Sequence, residues 1–119
     1  MGEVVQITKP KKFTLEEANK LLPLIRKITK ETVEQFLLLE AKLKHHESEP
    51  EKYKEIENEV NELLNKWAEK ISKLGADPKG IWLVDFNNGE GYYCWRYDEE
   101  SVEYFHNYEE GFAGRQPIL

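Results

Sequence analysis

Apolar positions recur every three or four residues through the first two thirds of the chain and alternate in the last third. Leu21, Ile25, Ile28, Thr32, Phe36, Leu39 and Leu43 form one stripe at helical spacing, and Leu22, Val33 and Leu37 broaden it. This predicts a first helix from Leu15 to about His46. Thr14 is its cap, Glu17 closes a capping box, and Phe13 can staple onto Ala18. Pro23, two turns in, predicts a kink or a restart at "LLPLI". "HHESEPEK" reads as a turn, with Ser48 or Glu49 as the next cap and Pro50 in the first turn. Tyr53, Ile56, Val60, Leu64, Trp67, Ile71 and Leu74 then keep near-heptad spacing, and Gly75 suits a C-cap. Residues 13–75 therefore predict an antiparallel helical hairpin. Residues 1–12, with "VVQI" and the breaker Pro10, read as an extended arm.

After "ADPKG" the period changes to that of strands. "IWLVDF" (81–86) and "GYYCWRY" (91–97) flank "NNGE", whose Asn88-Gly89 predicts a two-residue hairpin turn. That turn sets Phe86 opposite Gly91, Val84 opposite Tyr93 and Trp82 opposite Trp95. "VEYFH" (102–106) predicts a third strand, with Phe105 opposite Trp95 and His106 opposite Cys94. Trp82, Val84, Phe86, Tyr93, Trp95 and Phe105 then face the helices as a core. The expected architecture is one α+β domain over 1–119: the helical hairpin packed on a small three-stranded antiparallel sheet, with residues 76–119 supplying the sheet and an ordered C-terminal tail. The stripe on helix 1 is wider than one partner helix can cover, which predicts self-association, most simply a homodimer.

Charge sharpens this picture. The net charge is −6, yet residues 1–75 hold 14 basic and 14 acidic side chains, so the whole excess falls in residues 76–119, which also carry 10 of the 14 aromatic residues. An acidic, aromatic surface repels phosphate backbones and disfavours nucleic acid as a partner. A cation, a small molecule or a basic protein suits it better. No apolar run has the length of a membrane span or a signal peptide, and the single cysteine, Cys94, excludes an internal disulfide; both point to the cytoplasm.

Asp85, Cys94 and His106 share the sheet face away from that core in the expected register, with Asp85 diagonal to Cys94 and His106 directly across from it. Carboxylate, thiol and imidazole form a set suited to a divalent transition metal, to which Glu99, Glu109 or Glu110 could add. The spacing matches no established metal motif. A plainer reading makes Cys94 a small buried apolar residue, has Asp85 cap or pair with Arg96 or Arg115, and has His106 donate to a backbone carbonyl. A Cys94 nucleophile with His106 as base is a third reading. In "GFAGRQPI" (111–118), Arg115 is the only cation after Arg96, free to fork onto Asp85, a glutamate or an anionic ligand. His45 and His46 are adjacent, about 100° apart on a helix, and read as solvated.

"FTLEEANKLLPLI", "GIWLVDF", "YYCWRY", "FH" and "GFAGRQPI", in this order from about Phe13 to Ile118, resemble the uncharacterised prokaryotic family called domain of unknown function 2203. By that resemblance Asp85, Cys94, Trp95, Glu99, His106 and Arg115 stand at positions of the family pattern. Asn87 and Phe105 depart from it, where relatives have Pro and Trp. The resemblance brings residues but no activity. The function expected is therefore a self-associating binding or assembly module with an aromatic, acidic recognition face. The alternative is a metal-dependent, hydrolase-like enzyme built on Asp85, Cys94 and His106.

Overall fold

The capping box forms as its spacing requires. In the structure, a computed structural model that describes residues 11–118, Thr14 Oγ1 accepts the Glu17 N–H at 3.0 Å and Glu17 Oε1 accepts the Thr14 N–H at 2.8 Å. Most of the extended arm expected over residues 1–12 lies outside the described residues. Helix α1 (Leu15–His45) runs without interruption through Pro23, so the expected restart does not occur: losing one backbone hydrogen bond is tolerated within a long, packed helix. After a short turn, α2 (Pro50–Lys73) begins with its proline, and Glu49 occupies the N-cap without a side-chain bond. Buried side chains of α1 end at Thr32, although the helix continues to His45.

Among the described residues the sheet is larger than expected, with five strands in place of three. Strands β1 (Asp77–Gly80), β2 (Leu83–Asn87), β3 (Tyr92–Arg96), β4 (Tyr104–His106) and β5 (Gln116–Pro117) form an antiparallel meander in chain order. β1 arises from "DPKG", to which the sequence pattern assigns no element because Pro and Gly usually interrupt strands; at the sheet edge Pro78 has no ladder bond to lose on its outer side. The residues expected to begin the next strand, Ile81 and Trp82, instead connect β1 to β2. Trp82 takes φ 65°, an uncommon value for a side-chain-bearing residue. Its ring meets Phe36 of α1 and Trp67 of α2 edge-on, with centroids at 5.7 and 5.3 Å. Packing across both helices offsets the local strain of order 1 kcal/mol.

The β2–β3 turn is displaced by one residue. Its central pair is Gly89-Glu90, closed by the Asn88 N–H donating to Gly91 O at 2.9 Å, with Gly89 at φ 93° as the first central position of a II′-type hairpin needs. Moving a turn by one residue moves the pairing by two, so Phe86 lies opposite Tyr93 and Val84 opposite Trp95. The β3–β4 pairing is displaced by two as well, placing Phe105 opposite Tyr93 and His106 opposite Tyr92. Side chains alternate with period two, so both displacements keep the expected faces.

The core fills the space between the helical hairpin and one sheet face. Leu22 and Ile25 of α1, Trp67 and Ile71 of α2, and Val84, Phe86 and Trp95 of the sheet form one buried cluster with Phe13, Ala18, Ala76 and Val102. The Trp67 indole N–H donates to Thr29 Oγ1 at 2.9 Å inside it. β4 contributes nothing to this cluster, and Phe105 is 40 % exposed, contrary to its expected core position. The strand is shorter than "VEYFH" suggests because Val102 is held elsewhere: its N–H donates to Asn19 Oδ1 of α1 at 2.8 Å. Among the described residues no helix is long and apolar enough to cross a membrane.

Candidate metal centre

Asp85 stands at the middle of β2 and Cys94 at the middle of β3, directly paired, while His106 ends β4 on the diagonal from Cys94. The roles are exchanged relative to expectation, which had His106 across from Cys94 and Asp85 diagonal. Convergence survives because each two-residue displacement preserves the face. Gly91 allows β4 to come this close: a Cβ there would stand 2.5 Å from His106 O and 3.0 Å from Asn107 Cα.

All three side chains are buried on the face away from the helices, with Asp85 at 3 %, Cys94 at 1 % and His106 at 3 % exposure. One ligand atom from each lies within 4.8 Å of the other two. Tetrahedral ligands at about 2.0–2.3 Å from an ion stand about 3.3–3.7 Å apart, so side-chain shifts of about 1 Å would close the set around one ion. His106 Nδ1 lies 2.9 Å from Asn107 O and Nε2 lies 3.0 Å from Asp85 Oδ2. A carbonyl only accepts, so Nδ1 carries hydrogen, and Nε2 is the nitrogen left to a proton or a metal. One proton then sits between Nε2 and the carboxylate. Asp85's pKa is raised by burial, against the lowering effect of His106's charge and of hydrogen bonds from His106 and Cys94. Burial, and next the charge of Asp85, push the Cys94 thiol up to about 12.

These contacts do not form a nucleophilic cysteine with its base. Both ring nitrogens of His106 are engaged elsewhere, and the thiol is protonated at neutral pH. The backbone-carbonyl bond of His106 in the plainer reading is present; the pairing of Asp85 with an arginine is not, since its partner is His106.

Arg115 takes Glu99. Its Nη1 donates to Glu99 Oε1 at 3.0 Å and its Nη2 to Oε2 at 2.5 Å, a two-pronged ion pair of half-buried groups. The guanidinium is held between the rings of Tyr104 and Phe112, 3.9 and 4.3 Å from their centroids, and Nη1 also points at Cys94 Sγ from 4.0 Å. Glu99 Oε1 accepts the Arg96 N–H as well, at 2.8 Å. Glu99 and Arg115 thus stand beside the trio and fasten the tail that carries β5. Trp95 does not join them. It faces the helices, fully buried, and its indole donates to Glu99 O at 2.8 Å.

Asp85, Cys94 and His106 form the floor of a cleft of about 490 Å³ whose walls include Lys79, Tyr92, Tyr108, Glu110 and Phe112. A depression of about 720 Å³ along α2, around Glu62, Asn65 and Ser72, is larger but gathers no comparable chemistry. Lys79 escapes a sequence reading because it belongs to β1, and Asn107 because it acts through a carbonyl that every residue possesses. Tyr92 could have been found, since it shares the alternation of Cys94.

No curated protein and no solved structure matches the chain. The family model described as "Uncharacterized conserved protein (DUF2203)" matches residues 11–118, a span that includes both helices, the sheet and every residue of the cleft. The chain belongs to the DUF2203 family of uncharacterised conserved proteins.

Proposed function

We propose that this protein is a binding module whose Asp85, Cys94 and His106 hold a divalent transition metal, with the remaining coordination position open to the cleft. The observation that carries this reading is the approach of three buried ligand atoms within 4.8 Å, with His106 Nε2 offered by an Nδ1–H bound to a carbonyl. That second bond is the arrangement metal-ligating histidines usually have. Arg115 beside Cys94 Sγ supports a thiolate in the same way. Without an ion, burying a carboxylate, an imidazole and a thiol together is costly, and one shared proton offsets it weakly. A dication would displace that proton and deprotonate the thiol. The mixed donor set suits zinc or iron(II).

Elemental analysis of tag-free protein, followed by cobalt(II) loading, tests this. We expect one ion per chain, thiolate-to-cobalt charge transfer, loss of the ion in His106→Ala, and loss of the charge-transfer band in Cys94→Ser with the far-ultraviolet circular dichroism unchanged. Folded protein that takes up no zinc, iron, manganese or cobalt refutes the reading, leaving Asp85 and His106 as a structural hydrogen-bonded pair. The open position is also where a bound water would be activated, so hydrolase-like turnover is the enzymatic form of the same reading. Ester and amide substrates offered to loaded and chelated protein separate binding from catalysis.

A second reading, self-association through α1, is favoured by Leu37 and Leu38 at 55 % and 69 % exposure. The groove beside Leu38 carries Lys42 and Lys66 with Glu59 and Glu62, a pattern of both signs that a two-fold related copy can match. Light scattering that gives a monomer at high concentration overturns it. Tyr108 and Phe112 are exposed at the cleft and supply the aromatic part of a recognition face.

A further inference from the structure

We infer that the cleft takes a small monocarboxylate with an apolar or aromatic body, its carboxylate bridging the metal's open position and the Lys79 ammonium. This rests on the metal reading above and adds the ligand's class. Lys79 is the one cation among the described residues lining the cleft. Its Nζ lies 5.0 Å from the Tyr92 ring centroid, which holds the ammonium on the cleft side of β1. Tyr92 in turn meets the His106 ring at 5.4 Å and stands edge-on to Tyr108 at 5.2 Å. An aromatic wall therefore runs from the ligating imidazole outward, with Phe112 also lining the cleft. Such a wall suits an apolar body, and the volume of about 490 Å³ suits a small molecule.

Charge sets the anion. Glu109 and Glu110 stand at the exposed rim, two carboxylates against one ammonium, so a dianionic phosphate is repelled more than a single carboxylate. Gly111 adds an independent observation. Its backbone is extended at φ −100° and ψ −156°, open to any residue, and a Cβ there would meet no atom within 4 Å. This point of the cleft wall therefore leaves open space for a ligand's body.

The test uses the full chain loaded with cobalt(II), titrated with benzoate, acetate and inorganic phosphate while the visible cobalt bands are followed. Benzoate should shift the bands saturably and bind more tightly than acetate or phosphate. Lys79→Met should weaken benzoate about tenfold, the scale of one lost hydrogen bond to a charged group, and Gly111→Phe should obstruct it, with one cobalt per chain kept in both. Bands that benzoate leaves unmoved, phosphate binding tighter than benzoate, or a Lys79→Met affinity equal to the parent's overturns this inference alone. Absence of any cobalt spectrum overturns the metal reading and this inference with it.

Discussion

Replacing Arg115 by alanine removes several contacts at once, and their sum can be estimated. Arg115 and Glu99 have side-chain exposures of 12 % and 18 %, so their two-pronged pair is screened less than a surface ion pair and contributes about 1 kcal/mol or somewhat more. The rings of Tyr104 and Phe112 on the guanidinium add about 0.5–1 kcal/mol each. These terms overlap, so the total is about 2 kcal/mol. The tail can detach while the rest stays folded, so the global loss cannot exceed the free energy of docking β5. Urea denaturation of Arg115→Ala should therefore show a loss of about 1–2 kcal/mol, and Arg115→Lys should recover less than half, because an ammonium has neither the fork nor the plane. A double-mutant cycle with Glu99→Gln should give a coupling of about 1 kcal/mol. Hydrogen exchange gives the local readout: the Ile118 N–H, which donates to Glu103 O at 2.8 Å, should lose its protection. A global change under about 0.5 kcal/mol with Ile118 still protected would refute the assignment of Arg115 as the fastening of the tail.

Acid should act on the same pair: burial raises the Glu99 pKa, but the Arg115 and Arg96 hydrogen bonds and charges outweigh it and hold the carboxyl below 4.5. A lowered folded pKa gives stability that is present above 4.5 and lost as pH falls through the folded value, so denaturation at stepped pH should show a loss below that point that Glu99→Gln lacks. Gly91→Ala should cost about 1–3 kcal/mol in urea denaturation, since its Cβ would collide with His106 O, and it should reduce cobalt loading by moving β4 away from β3. Thr29→Val strands the buried Trp67 indole N–H and should cost about 1–3 kcal/mol, most of which Thr29→Ser restores.

The helices were legible because their signals are local. Thr14 and Glu17 are three residues apart and cap whatever follows, and Gly75, at φ 94°, ends α2 where the apolar repeat stops. Asp85, Cys94 and His106 were legible as one face for a weaker reason, parity, which a two-residue error leaves intact. The pairing itself was not, because Asn88-Gly89 and Gly89-Glu90 are both acceptable turn centres and tertiary packing chooses between them. β1 and β5 were missed since "DPKG" and "QP" carry no alternation; they become strands only by lying against β2 and β4. Phe105 misled because alternation names a face without saying how far the helices extend over it. The partner of Arg115 stayed open among Asp85, a glutamate and a ligand, and only the path of the tail between Tyr104 and Phe112 selects Glu99.

The burial of α1 ends at Thr32 while the helix runs on to His45, so its last 13 residues reach about 20 Å farther. Beyond Phe36, which still touches Trp82, the outer turns rest within one chain on the opposing helix alone. This makes the hairpin a handle. A fluorophore, an affinity peptide or a surface linker placed in the turn between His45 and Pro50 would sit on outer turns that can fray or be pulled with little disturbance of the sheet that carries the cleft.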